Sequence, residues 1–120
     1  MDAELKQRWI DALKSGKYPK TKGALCRPIP GEENKEPVAA GFCCLGVLAD
    51  ISGLGQWEDG ADKRYRSFRE TLTKKEEVGY LPTGMSSRLG FNYRQMQEIA
   101  ELNDQSDTFD PVIALIEAKL

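Results

Sequence analysis

A chain of 120 residues, with 40% hydrophobic and 30% charged side chains, is long enough for one domain with its own core. Its formal net charge of −2 provides no positive field for nonspecific nucleic-acid binding, so nucleic acid is not an expected partner. Because neither an apolar run of about 20 residues nor an apolar N-terminal segment is present, we expect no membrane span and no secretory signal.

The N-terminal segment predicts an amphipathic helix over residues 2–15. Leu5, Trp9 and Leu13 recur with a helical period. Asp2 is a suitable N-cap, and Gly16 stands where a left-handed residue ends many helices.

A β-hairpin is predicted next, formed by residues 24–27 and 38–42. The connecting stretch 27–37 contains three prolines, one glycine and three glutamates, a composition that predicts a flexible solvent-exposed loop.

The most apolar part of the chain follows this hairpin and predicts a helix over residues 43–51. Cys44, Val47 and Leu48 fall on one face of it. Gly46 weakens a helix, so we expect it to admit another part of the backbone at close range.

The second half of the chain predicts helices more clearly than strands. Residues 56–77 form a charged insertion in which a short helix is expected within 62–72. A short strand over 78–81 and a helical turn ending at Gly90 are expected to follow. Two further helices are predicted. The first runs from Tyr93 to about Leu102 and ends at a break at Asn103 and Asp104. The second begins at Pro111 with Asp110 as N-cap, and Phe109 is expected to contact Ala114.

These elements predict a single α+β domain over residues 1–120, dominated by helices. About four helices would surround a short antiparallel sheet of two or three strands.

The chain has no histidine, which removes the usual nucleophile–base pairs and most catalytic zinc sites. We therefore expect no metal, no cofactor and no enzymatic activity. Cys43 and Cys44 are the candidates for a reactive thiol, because a helix N-terminus favours a thiolate. The favoured interpretation is that both cysteines are small packing residues at a strand-to-helix joint.

Cationic and aromatic residues provide the other candidate sites. One interpretation is an aromatic and basic pocket for a nucleotide or phosphate, formed by Trp57, Tyr65, Arg64 and Arg66. The other is that the charges are solvated and that the tryptophan covers the core. The ligand- or partner-binding candidates are Lys20, Lys22, Arg27, Trp57, Arg64 and Arg66. The stretch "ELND", Glu101–Asp104, predicts a structural turn, with ligand donors as the alternative.

Five motifs follow one another along the chain: "WIDALKSGKYPKTKGALC", "GFCCLGVLADI", "LP", "ELND" and a final F-x-x-V-I-A-x-x-I helix. In these motifs and their order, the chain resembles a group of small uncharacterised proteins of tailed bacteriophages and prophages. The resemblance implies a phage-encoded protein in the cytoplasm of the bacterial host. It carries over no catalytic residues.

Three functions remain open at this point. The favoured one is a non-catalytic protein that binds a host protein, for example as an inhibitor of anti-phage defence. The alternatives are sequestration of a small molecule or nucleotide, and a cysteine-dependent enzyme.

Overall fold

A computed structural model describes residues 1–29, 39–59 and 64–120, and within them five helices pack with an antiparallel sheet. This arrangement confirms the predicted α+β class. The helices are α1 (Ala3–Lys14), α2 (Cys44–Ser52), α3 (Met85–Leu89), α4 (Tyr93–Asp104) and α5 (Asp110–Lys119). The strands are β1 (Cys26–Ile29), β2 (Ala39–Phe42), β3 (Gly55–Asp59), β4 (Arg66–Glu70) and β5 (Glu76–Glu77), in the order β2-β1-β4-β3, with β5 paired to β4.

Local capping explains why the helices begin and end where they do. The carboxylate of Asp2 accepts a hydrogen bond from the Leu5 N–H at 2.9 Å, and Gly16 has a φ of 74°. Both predicted ends of α1 are therefore confirmed. At the start of α4, Asn92 and Gln95 form a reciprocal capping box.

The predicted hairpin is present, with Cys26 opposite Phe42 and Ile29 opposite Ala39. Of the predicted loop 27–37, residues 27–29 belong to β1, and the remainder lies outside the described residues. The close approach predicted for Gly46 is confirmed, because a Cβ there would lie 1.9 Å from the Leu25 carbonyl oxygen.

The charged insertion 56–77 contains most of the unpredicted structure. The helix expected within 62–72 is wrong, since residues 66–70 form β4 and pair with β3 over five residues. The strand expected over 78–81 is also wrong, because β5 ends at Glu77. Pairing between strands places β4 in the sheet, and a local periodicity does not show such pairing.

Two helix ends near the C-terminus also differ from expectation. The helix α4 continues through Asn103 and Asp104 instead of breaking there. In α5, Phe109 is the N-cap and Asp110 is already helical. The side chain expected to contact Phe109, that of Ala114, is exposed.

The core lies between the helices and one face of the sheet. Its largest fully buried side chains include Trp9, Leu25, Leu45, Leu48, Phe68, Met85, Ile99 and Ile116. None of the helices in the described ranges is long and apolar enough to cross a membrane.

Candidate functional site

The connecting ends of two hairpins lie at the same end of the sheet. The strand β1 is antiparallel to β4, with Cys26 opposite Arg66. In the β3–β4 hairpin, Asp59 is also opposite Arg66. Because β1 and β3 are both antiparallel to β4, they run in the same direction. The Ile29 end of β1 and the Asp59 end of β3 therefore lie at the same end of the sheet.

Two arginines contact a tyrosine ring at this end, and a third arginine lies beside them in the sheet. The guanidinium carbon of Arg27 lies 5.1 Å from the centre of the Tyr65 ring, and that of Arg64 lies 5.8 Å from it. These distances are typical of cation–π contacts. Arg66 forms an ion pair with Asp59 at 3.1 Å. We call Arg27, Arg64, Tyr65 and Arg66 the arginine end of the sheet.

The side chains of the arginine end lie on both faces of the sheet. Because side chains alternate along strands, Cys26 and Arg66 share one face, whereas Arg27 and Tyr65 share the other. Arg27 and Tyr65 are half-buried, and Arg64 is exposed. Among the described residues, this end carries three guanidinium groups and one carboxylate, that of Asp59.

Trp57 is not part of this cluster. It is opposite Phe68 in the sheet, so its ring lies on the face that carries Arg66 and away from Tyr65. The ring centre lies 5.7 Å from Phe42 and 5.2 Å from Phe68. Its indole N–H donates to the Asp50 carboxylate at 3.0 Å. The structure thus supports the interpretation of a core-covering tryptophan.

Lys20 and Lys22 contact a different part of the molecule. The Lys20 ammonium donates to the carbonyls of Asn103 at 2.7 Å and Ser106 at 2.5 Å. Burial, and then the neighbouring Lys22 charge, lower the pKa of Lys20. Lys22 lies 3.4 Å from the carboxylate of Asp107. Both lysines therefore attach the N-terminal segment to the end of α4.

Asn103 joins three segments that the sequence motifs single out. Its side-chain oxygen accepts from the Cys44 N–H at 3.1 Å, and its amide donates to the Thr21 carbonyl at 3.1 Å. The neighbouring Asp104 accepts from the Gly23 N–H at 2.9 Å. These contacts give "ELND" a structural role and do not favour ligand donors, but the predicted turn is wrong, because Glu101–Asp104 is the last turn of α4.

Both candidate thiols are buried at the start of α2. The Cys43 side chain is the N-cap and accepts from the Gly46 N–H at 3.4 Å. The Cys44 thiol donates to the Ile99 carbonyl at 3.9 Å. Burial raises the pKa of Cys43 to about 11 and raises that of Cys44 well above its usual range. This geometry supports packing instead of nucleophilic chemistry.

An exposed pair of tyrosines was missed by the sequence reasoning. The rings of Tyr80 and Tyr93 lie 6.4 Å apart, and 60% of Tyr93 is exposed. Tyr80 and Tyr93 are 13 positions apart in the sequence, and no local sequence pattern indicates that their side chains lie close together. Within the described ranges, no group of three or more cysteine, aspartate or glutamate side chains is placed to hold a metal ion.

Comparison with known proteins identifies one family. A family model described as "Domain of unknown function (DUF8296)" matches residues 1–120, so the chain belongs to that family. No curated protein and no solved structure gives a significant match.

Proposed function

For this member of the DUF8296 family, we propose a non-catalytic binding function directed at a bacterial host protein. In this proposal the protein is phage-encoded, acts in the host cytoplasm and inhibits an anti-phage defence component. The resemblance to phage and prophage proteins is the basis for the biological setting. The arginine end of the sheet is the basis for the binding function.

The arrangement of Arg27 and Arg64 around Tyr65 is the observation that carries this proposal. Arginine and tyrosine are the residue types that most often dominate the energy of protein interfaces. Pairing of β1 with β4 holds Arg27 near the start of β4, which lowers the entropy that binding must remove.

The guanidinium groups among the described residues of this end indicate the kind of surface that it binds. Guanidinium groups form bidentate hydrogen bonds with carboxylates, and Tyr65 adds apolar contact area. The proposed partner therefore presents an acidic surface. Electrostatic attraction of this kind accelerates association and weakens as salt is added.

Affinity capture with matched variants tests the proposal. The tagged protein would be expressed in bacteria that carry defined defence systems, with and without phage challenge. We expect the wild type and Arg94→Glu to retain one host protein in stoichiometric amount, since Arg94 is an exposed arginine on α4. The double variant Arg27→Glu, Arg64→Glu is expected to lose it, together with the protection of the phage.

Two results would contradict the proposal. Capture of no stoichiometric protein by the wild type, at low salt and with phage challenge, would remove the binding function. Equal capture by the wild type and the double variant would remove the arginine end as the binding surface.

The same arrangement favours a second candidate function, the sequestration of a nucleotide. Arginine binds phosphate in the same bidentate manner, and the Tyr65 ring can stack on a base. Incubation with a cell extract, followed by mass spectrometry of the molecules released on heating, distinguishes the two functions. A nucleotide in one-to-one amount, absent from the double variant, would favour sequestration. The burial of Cys43 and Cys44 disfavours the cysteine-dependent alternative.

A further inference from the structure

The outer strand of the sheet, β3, has an edge that faces away from its partner strand β4. In the sheet order β2-β1-β4-β3, it is the terminal strand of the described residues. Backbone groups along such an edge are available to pair with another strand.

The hydrogen bonds of β4 identify which backbone groups of β3 face outward. The Thr71 N–H donates to the Leu54 carbonyl at 2.9 Å, immediately before β3. Glu70 is paired with Gly55 in the register, but its N–H donates to the Lys75 carbonyl, on the side of β4 that faces away from β3. In an antiparallel pair the two kinds of position alternate, so Gly55, Trp57 and Asp59 direct their N–H and C=O groups away from β4.

The sequence of this strand, Gly55–Asp59 or "GQWED", is complementary to itself in one antiparallel register. When two copies pair with Trp57 opposite Trp57, each Gln56 is opposite a Glu58, and each Gly55 is opposite an Asp59. All five residues then pair without like charges facing each other. Shifting the register by two positions toward the C-terminus places Glu58 opposite Glu58, which is unfavourable.

We propose that two copies of this chain associate through β3, antiparallel and centred on Trp57, to form one continuous sheet. The outward groups of Gly55, Trp57 and Asp59 provide the backbone hydrogen bonds between the copies. This inference does not depend on the proposed function.

Gln56 allows the register to be tested with substitutions of opposite effect. In the dimer, Gln56→Glu places a like charge opposite Glu58 twice, whereas Gln56→Lys places an opposite charge there twice. In the monomer, Gln56 is exposed and is opposite Arg69, so the Glu variant is expected to fold. Gln105, an exposed residue at the end of α4, provides the matched control substitutions to Glu and Lys.

Sedimentation equilibrium from micromolar to millimolar protein gives the dissociation constant of each variant. One chain has a mass of 13.4 kDa, and we expect the wild type to approach twice this mass as concentration rises. Gln56→Glu should weaken the dimer by about 5-fold or more, and Gln56→Lys should strengthen it, for two symmetric charge pairs at the usual cross-strand energies. The Gln105 variants should match the wild type.

Hydrogen exchange locates the interface independently of any substitution. The amides of Gly55, Trp57 and Asp59 should become protected as the protein concentration rises. A chain that stays monomeric at every concentration would overturn the proposal. So would a dimer that is indifferent to residue 56, or one whose protected amides lie outside β3.

Discussion

The buried carboxylate of Glu70, at the end of β4, is bound by the guanidinium of Arg88 on α3 through two hydrogen bonds. Only 1% of Glu70 is exposed. The Thr73 hydroxyl donates to the same carboxylate at 2.8 Å. The hydrogen bonds from Arg88 outweigh burial and lower the pKa of Glu70 below its ordinary value of 4.5. This contact links α3 to β4.

Removal of the Arg88 guanidinium should therefore destabilise the fold in a pH-dependent way. In the wild type, Glu70 stabilises the fold above its unfolded pKa, and this contribution is lost as pH falls through the lowered folded pKa. In Arg88→Met, the largest contribution that lowers the pKa of Glu70 is lost, while burial and the Thr73 hydrogen bond remain. The pKa of Glu70 should therefore rise, and the ionised carboxylate should be less favourable at neutral pH than in the wild type. The loss of unfolding free energy should be largest near neutral pH and should shrink below about pH 4.5.

Urea unfolding at a series of pH values measures this difference. Lys119→Met is a suitable control, because the Lys119–Glu98 ion pair lies at the surface and contributes little. A loss of stability that does not vary with pH would show that Arg88 acts through packing alone.

Asn103 is expected to be the most sensitive polar residue in the core. It is completely buried, and its side chain satisfies the Cys44 N–H and the Thr21 carbonyl. Asn103→Leu has a similar volume but leaves both groups unpaired, so it should cost about 2–5 kcal/mol of unfolding free energy. Gln105→Ala, at an exposed position two residues away, should change it by less than about 0.5 kcal/mol. Equal effects of the two substitutions in urea unfolding would contradict this role.

The helices could be predicted because their signals are local. Asp2 and Asn92 each bind a backbone N–H three residues ahead, and such capping is visible in a short stretch of sequence. The strands β3 and β4 could not be predicted in the same way. Their charged residues form ion pairs across the sheet, as Arg69 does with Glu58 at 3.0 Å. A pattern based on hydrophobicity instead predicts a solvated surface for such residues.

Part of the candidate site could be predicted from residue type, whereas the contacts between its residues could not. Arg27 and Arg64 were identified by residue type, and the pairing of β1 with β4 brings them to one tyrosine. Trp57 is near Arg64 in sequence, but the strand register turns its ring to the face opposite Tyr65. Residue type thus indicated the chemistry, whereas register decided which residues meet.

Gly46 should tolerate no side chain, although alanine is the better helix former. A Cβ at this position would lie 1.9 Å from the carbonyl oxygen of Leu25, which belongs to the backbone and cannot rotate away. Gly46→Ala should therefore lower the unfolding free energy by about 2 kcal/mol or more, despite a gain of about 1 kcal/mol in helix propensity.

Gly79 provides the comparison for this substitution. A Cβ there would lie 4.0 Å from the Gly23 carbonyl oxygen, and its φ is not positive. Gly79→Ala should consequently leave the thermal unfolding midpoint almost unchanged, while that of Gly46→Ala falls by several degrees. Similar midpoints for the two variants would mean that α2 can move away from Leu25 without cost.

The three cysteines should react with thiol reagents only when the fold opens. Cys26 and Cys44 have no exposed surface, and 5% of Cys43 is exposed. Burial raises the pKa of Cys26 and of Cys43 to about 11, so at neutral pH the reactive thiolate is rarer than in an ordinary cysteine. Labelling with a chromogenic disulfide should be slow for the native protein and should accelerate with urea in parallel with global unfolding. Rapid labelling of one thiol in the native protein at neutral pH would instead restore a chemical role for the start of α2.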